Sequence, residues 1–244
     1  MKRLITIICL TIAVLIESVG VSESADFVKG FVKGLTAFQR GNLAIALREF
    51  TPLAEQGDVN AQYFLGRTYQ EVVRNKGQGI TADNKPAVKW FTLAAKQGDQ
   101  QAQNSLGLMY RNGEGIPKDH KTAVKWFTLA AKQGYYSAQF NLGVMYEGGE
   151  GVLQDDKTAV KWYRLAAEQG NATAQTNLSM IYGMGSSVIQ NNVYAYMWGN
   201  IAASNGSEDG AMVRDLAKKS MTPSQVEKAQ DLARECVRKK LKGC

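Results

Sequence analysis

Residues 123–134 read AVKWFTLAAKQG. Within this stretch Ala123, Trp126, Phe127 and Ala130 recur at intervals of three and four, the spacing that lines side chains along one face of a helix. Its tryptophan and its closing glycine both belong to a longer pattern. Trp90, Trp126, Trp162 and Trp198 stand 36 residues apart, and so do Gly98, Gly134, Gly170 and Gly206. A period of roughly 20 to 50 residues marks stacked units that bury their apolar faces against one another. The chain is therefore expected to be an array rather than a single globular core, and arrays offer long surfaces to partners more often than they carry chemistry.

Upstream of that stretch, Ala102, Leu106, Met109 and Tyr110 also recur at helical spacing, so each unit reads as two helices, A then B. Gly113, Gly115 and Pro117 separate them, with Asp119 as the N-cap of helix B. Asp83, Asp155 and Asn191 hold the same cap position in the other units. Glycine then ends each helix B and a polar cap opens the next A: Gly57-Asp58, Gly98-Asp99, Gly170-Asn171 and Gly206-Ser207. Gly134-Tyr135 breaks the pattern, because a tyrosine side chain cannot cap. Tyr135 and Tyr136 are read either as an exposed partner anchor or as packing on a neighbouring loop. Inside helix A the run Leu-Gly-x-x-Tyr occurs at Leu65-Gly66-Tyr69, Leu106-Gly107-Tyr110 and Leu142-Gly143-Tyr146, weakening to Leu178-Ser179-Tyr182. The glycine is expected to admit helix B closely, with the large tryptophan filling the space beside it.

The stretches Ala102-Gln103, Leu106-Gly107, Tyr110, Gly113-Glu114-Gly115-Ile116, Asp119 and AVKWFTLAAKQG together resemble Sel1-like repeats, relatives of the tetratricopeptide repeats. The resemblance implies an all-α, α/α superhelical solenoid of helix-turn-helix repeats at 58–98, 99–134, 135–170 and 171–206. A degenerate helical hairpin is expected to precede it at 25–57, with Ala46 and Phe50 in the helix B register, and a helical cap to follow at 207–244. The first repeat carries five extra residues between Tyr69 and Gly77, expected to lengthen its helix A or its loop. In the fourth, Lys125 and Lys161 give way to Met197, and Val124 and Val160 to Tyr196, so more apolar surface needs cover. Ser207 to Lys219 supplies the next helix. Thr222-Pro223-Ser224-Gln225 opens a last one, with Val226, Ala229, Ala233 and Val237 facing inward.

At the start, Lys2 and Arg3 precede thirteen uncharged residues, 4–16, a pattern that reads as a signal peptide, residues 1–24, cleaved after Ser24 or Ala25. The expected location is outside the cytoplasm, periplasmic or secreted. The net charge of +7 is concentrated late: from Arg214 onward nine Lys or Arg face four Asp or Glu. Such charge suits acidic protein or envelope surfaces, or is simply a solvated helix face; nucleic acid is not an expected partner of an exported chain. After export Cys236 and Cys244 remain, and an oxidising compartment favours a disulfide between them, with free thiols or an intermolecular bridge as the alternatives. An uninterrupted helix would hold them about 12 Å apart, so the helix must stop before about Lys240 and the chain turn back near Gly243.

In tetratricopeptide relatives helix A lines a concave groove, and the resemblance places that face one residue before the repeated alanine and two, six and nine after it. The resulting partner-binding candidates are Tyr63, Arg67 and Gln70, then Asn104, Leu108 and Arg111, then Phe140, Val144 and Glu147, then Thr176 and Met180. These positions vary from repeat to repeat while the scaffold positions do not, as a site for a non-repeating protein partner requires; relaxed surface drift leaves the same trace. Tyr63, Phe140 and Arg67 are the best anchors by residue type. Chemistry finds little support. His120 is the single histidine, so no ordinary zinc set can be assembled, and no metal or cofactor is expected. Some Sel1-like proteins are linked to β-lactams, which makes a β-lactam or peptidoglycan enzyme the contrasting class. The Ser-x-x-Lys signature is absent, however, as is the cysteine pair per repeat of those relatives. The expected function is a non-catalytic protein-interaction scaffold of the bacterial envelope, with a secreted host-interaction factor as the alternative and no small-molecule substrate.

Overall fold

The computed structural model describes residues 21–75, 83–185 and 189–244, with side chains from Ala25 onward. Among the described residues the secondary structure is entirely helical. The helices are α1 (Val21–Gln39), α2 (Leu43–Glu55), α3 (Val59–Arg74), α4 (Lys85–Lys96), α5 (Gln100–Asn112), α6 (His120–Lys132), α7 (Tyr136–Gly148), α8 (Asp156–Ala167), α9 (Ala172–Met184), α10 (Asn192–Ser204), α11 (Glu208–Lys218) and α12 (Pro223–Arg238). They form two compact units divided within α5: one reaches to Ala102 and takes in Gly113–Pro117, and the other holds Gln103–Asn112 and everything from Lys118. In each unit helices adjacent in sequence mostly pack on one another, as α1 does on α2 and α7 on α8, and at the end α12 packs on α10. The first nineteen residues of the expected leader, and residue 20, lie outside the described residues; residues 21–24 begin α1.

The first unit is built on aromatic packing. In the opening hairpin, Gly34 of α1 lies so close to Phe50 of α2 that a Cβ there would stand 2.7 Å from the ring. Phe50 in turn stacks on Phe64 of α3 at 5.6 Å between centroids. The same small-on-large contact joins Gly66 to Phe91 in this unit, and Gly107 to Phe127 and Gly143 to Tyr163 in the second. The sequence reading gave this place to the tryptophan; the structure gives it to the residue that follows. Phe91, Phe127 and Tyr163 are fully buried, whereas Trp126 and Trp162 are half-buried. Trp162 instead packs against the cluster formed by α6 and α7, stitching its repeat to the one before.

The caps follow the sequence with one shift. Asp58, Asp99 and Asn171 accept the N–H of Ala61, Ala102 and Ala174 at 2.6 to 2.7 Å. At the start of the B helices, Asp119 accepts from Thr122 N–H and Asp155 from Thr158 N–H, both at 3.1 Å. Asp83 does not cap in this way. Pro86 stands where Thr122 and Thr158 donate and has no N–H, so Asp83 accepts from Lys85 N–H instead, and Asn84 becomes the N-cap residue without a side-chain bond. Tyr135 likewise caps α7 without a side-chain bond; its carbonyl accepts the N–H groups of Ala138 and Gln139.

The hydroxyls of Thr122 and Thr158 also donate to Asp119 and Asp155, and these bonds hold both carboxyls below the ordinary aspartate range. A depressed folded value means that the stabilisation is complete above the ordinary aspartate pKa and is lost as pH falls through the folded value. The double variant Asp119→Asn, Asp155→Asn keeps an acceptor but does not titrate. Its urea midpoint is expected to fall below that of the parent at neutral pH and to converge on it as pH drops below about 4. A gap independent of pH would show that the charge on these caps contributes nothing.

Buried amides tie successive helices together. Gln139 donates to Ala131 O, at the end of the preceding helix B, and accepts from Gln169 Nε2 at the end of its own. Gln175 repeats this with Ala167 O and Asn205, and Gln62 with Ala54 O and Gln97. The extra residues of repeat one lengthen α3, which runs to Arg74 over 16 residues against 13 in α5, α7 and α9. The rest of that insertion lies outside the described residues.

Repeat four inverts the small-on-large contact. Ser179 replaces the glycine and donates to Ala195 O at 2.7 Å, and Gly199 replaces the aromatic. Without a side chain at Gly199, α11 approaches α10 closely at Gly210. Tyr196 is buried with Ala217 and Ala229, and Met197 with Ala233 and Cys236, so both α11 and α12 supply the expected cover. Thr222 and Gln225 form a reciprocal capping box with Pro223 at the first helical position. One inward position is corrected: Val237 is exposed and Cys236 takes its place, because the buried stripe 229, 233, 236 turns by four and then three. After Arg238 the chain reverses through positive φ at Lys240, Leu241 and Gly243, leaving the Cα atoms of Cys236 and Cys244 5.7 Å apart, within disulfide reach.

Candidate functional site

Each of the two units has its own A-helix face. In the first, Tyr63 is buried, its ring against Phe64 at 5.3 Å and Phe91 at 5.9 Å. Arg67 donates from Nη1 to Tyr63 Oη at 3.0 Å and lies over the rings of Phe38 and Tyr63. Tyr63 therefore forms a wall of the core rather than a projecting anchor. The half-buried Arg67 and Gln70 are what this stretch of α3 presents.

In the second unit Asn104 is buried and accepts from Asn141 Nδ2 at 2.9 Å, a bond that joins α5 to α7 directly. Thr176 is buried too, donating to Ala172 O and sharing a bond with the Ser207 hydroxyl. Both stand two residues after the repeated alanine, where the next A helix or its cap closes over them. Phe140, at the same register, stays half-open with its ring 5.7 Å from Tyr163. Further along the helices the face remains accessible. Leu108, Arg111, Val144 and Met180 are half-buried and Glu147 is exposed, while the scaffold residues Leu106, Met109, Leu142, Met145, Leu178 and Ile181 are sealed.

Three polar contacts shape this face. Arg111 grips Glu150 through both oxygens, at 2.8 and 3.2 Å, and the guanidinium lowers the pKa of that carboxyl. The buried Tyr163 hydroxyl donates to Glu147 at 2.6 Å; burial first, and then the adjacent carboxylate, pushes its pKa upward. His120 has Nδ1 3.9 Å from Glu150 and a buried Nε2 without a hydrogen-bond partner, so it is more enclosed than a plain surface residue. Sequence reasoning passed over Glu150 and Tyr163. Their signals were the repeated Gly-Glu-Gly turn and the change from phenylalanine at 91 and 127 to tyrosine at 163. Tyr135 is half-buried against the α6 and α7 cluster, whereas Tyr136 is exposed, the two rings lying 5.8 Å apart. Such a face, with apolar openings beside fixed charges, can recognise a protein surface. Among the described residues no group of three or more His, Cys, Asp or Glu is placed to hold a metal ion.

Comparisons with known proteins agree with this architecture. The Sel1 repeat pattern matches at residues 59–99, 100–135, 137–171 and 172–207. The crystal structure of c5321, a protective antigen of uropathogenic Escherichia coli strains that displays an SLR fold, is 33% identical over 91% of this chain, with a TM-score of 0.79. The match covers 47% of that protein, so the chain spans about half the length of this relative. A Sel1 repeat protein from Oxalobacter formigenes is 28% identical, covering 85% of this chain and 84% of its own, at a TM-score of 0.68. A putative Sel1 repeat protein from Klebsiella pneumoniae, 22% identical over 80% of this chain and 95% of its own with a TM-score of 0.52, shares the fold. No curated protein matches. Proteins built of Sel1 repeats generally serve as protein-interaction scaffolds and are typically not enzymes. With the repeat pattern spanning more than half of its length, the chain belongs to the Sel1 repeat family.

Proposed function

We propose that this protein is a non-catalytic adaptor of the bacterial cell envelope that binds partner proteins through the face of its A helices. The observation that carries the reading is the contrast along α5, α7 and α9. Their scaffold residues are sealed, while Leu108, Val144 and Met180 stay half-open beside Arg111 and Glu147. Phe140 adds an aromatic edge to this face of the second unit, and in the first unit Arg67 and Gln70 of α3 are candidates in their own right. Asn104 and Thr176 act beneath the face of the second unit, holding its helices in place, and Tyr63 does the same within the first. Tyr136 is a further candidate anchor, with Tyr135 as its support.

Export through a cleaved leader at residues 1–24 is part of this proposal, and so is a disulfide between Cys236 and Cys244. In the chain-entropy model a loop of this size would contribute about 2 to 3 kcal/mol. Two free thiols in the exported protein, found by titration with and without reductant, would remove the staple. A secreted role in host contact is the second reading, favoured by the resemblance to a protective antigen. Fractionation followed by crosslinking and mass spectrometry separates the two. An envelope adaptor stays in the periplasm bound to a resident complex, and a host factor appears in the medium or on the cell surface. Turnover of a β-lactam or a peptidoglycan fragment by the purified protein would overturn both.

A further inference from the structure

The outward faces of the B helices carry a second repeated pattern, distinct from the A-helix face. On α6 it consists of Lys121, Lys125 and Leu129, with Lys132 beyond; on α8 it consists of Lys157, Lys161 and Leu165. Steps of four keep these residues on one stripe of each helix. All five of the lysines are exposed, and the leucines are 47% and 43% exposed, whereas the A-helix scaffold leucines Leu106, Leu142 and Leu178 are sealed. Nothing in the packing of the array requires this arrangement. Lysines four apart repel each other, and the N-cap carboxylates Asp119 and Asp155 act on Lys125 and Lys161 from these helix starts. The first unit bears the same stripe on α4, as Lys85, Lys89 and Leu93.

Repeat four shows what such a stripe accepts. There the same positions are Val193, Met197 and Ile201, and Ile201 is only 2% exposed. Met197 and Ile201 share a buried cluster with Ala233 and Cys236 of α12, and Val193 packs on the cluster that contains Ala229. The protein thus lays an amphipathic helix with small inward residues along this face. Where that helix covers the stripe, the lysines are gone. Where the lysines remain, the leucine is uncovered.

We infer that the Lys-Lys-Leu stripes of α6 and α8 form a docking surface for an amphipathic helix of a partner protein, one with small apolar residues inward and carboxylates on its flanks. The leucine would seat between small side chains, as Ile201 does against Ala233, and the lysines would meet the carboxylates. A single leucine per helix, set among lysines, is too little apolar surface to insert in a bilayer, and the precedent on α10 is a helix.

The test uses the full chain and a fluorescent peptide of residues 222–238 carrying Lys228→Glu, Arg234→Glu, Arg238→Glu and Cys236→Ala. This peptide keeps the inward Ala229 and Ala233, puts another small residue at the inward position 236, and makes its flanks acidic. The control peptide carries Cys236→Ala alone. The acidic peptide is expected to bind saturably and more tightly than the control. Its affinity should fall by about tenfold or more in each of the double variants Leu129→Gln, Leu165→Gln and Lys125→Gln, Lys161→Gln. Circular dichroism would verify that both remain folded, since all four side chains are exposed, and Lys219→Gln should leave binding unchanged. Raising the ionic strength should weaken binding of the acidic peptide more than that of the control. Equal binding of both peptides, no saturable binding, or binding that survives both double variants would overturn the proposal. So would anionic phosphatidylglycerol vesicles that bind through these residues when the peptide does not, or self-association of the protein that these variants abolish in place of peptide binding.

Discussion

Gly151→Ala is expected to destabilise the second unit by about 2 to 5 kcal/mol. Two physical costs add. Gly151 has φ +74°, in the left-handed region, where a Cβ costs about 1 to 2 kcal/mol. That Cβ would also stand 2.5 Å from the carbonyl carbon and oxygen of His120 and 2.7 Å from the nitrogen of Lys121. These atoms belong to the backbone at the first turn of α6, so no side-chain rotation relieves the contact, and the turn of repeat three must lift off repeat two. Overpacking of this kind costs about 1 to 3 kcal/mol. Gly170→Ala isolates the contact term, because Gly170 has φ +88° but open space around the added carbon. Chemical denaturation should show the larger loss for Gly151→Ala. Equal losses would mean that the turn does not seat on the preceding repeat.

Phe127→Ala is expected to cost about 3 to 5 kcal/mol, more than Trp126→Ala despite the smaller side chain removed. Phe127 is fully buried with its ring against Gly107, so its loss leaves a cavity between α5 and α6 that the rigid glycine face cannot fill. Trp126 is half-buried and leaves space that water can enter, for a cost below about 2 kcal/mol. Denaturation midpoints of the two variants decide the matter. A larger loss at Trp126 would restore the tryptophan to the place beside the glycine.

The period, the two-helix unit, the caps and the closing capping box were legible because each depends on local geometry that repeats with the sequence. The identity of the residue against the glycine was not. The tryptophan recurs in all four repeats while the place of Phe127 passes to Tyr163 and Gly199, so periodicity favoured the tryptophan, although the two positions lie about 100° apart on a helix and only one can face the glycine. The shifted cap at Asp83 follows from the missing N–H of Pro86, a local cause visible in the sequence once the donor position is known. The amide pairs, such as Gln139 with Gln169, join residues 30 positions apart, and polar partners at that distance leave no hydrophobic pattern to read. On the candidate face the register says nothing about depth. Two positions after the alanine, Asn104 meets Asn141 of the next A helix and Thr176 meets Ser207, so both are buried. How closely neighbouring A helices pack is a property of the assembled array, which a single repeat does not encode.

The central claim is that the A-helix face holds a partner protein. Its most direct test is a photo-crosslinking amino acid placed in turn at Val144, Met180 and Leu108 of the full-length protein in its native cells. Leu153, 91% exposed in the connection between α7 and α8, serves as the control position. The account predicts the same discrete protein adduct from the three A-face positions and none from Leu153. Adducts from Leu153 alone, or from none of the A-face positions, would contradict it.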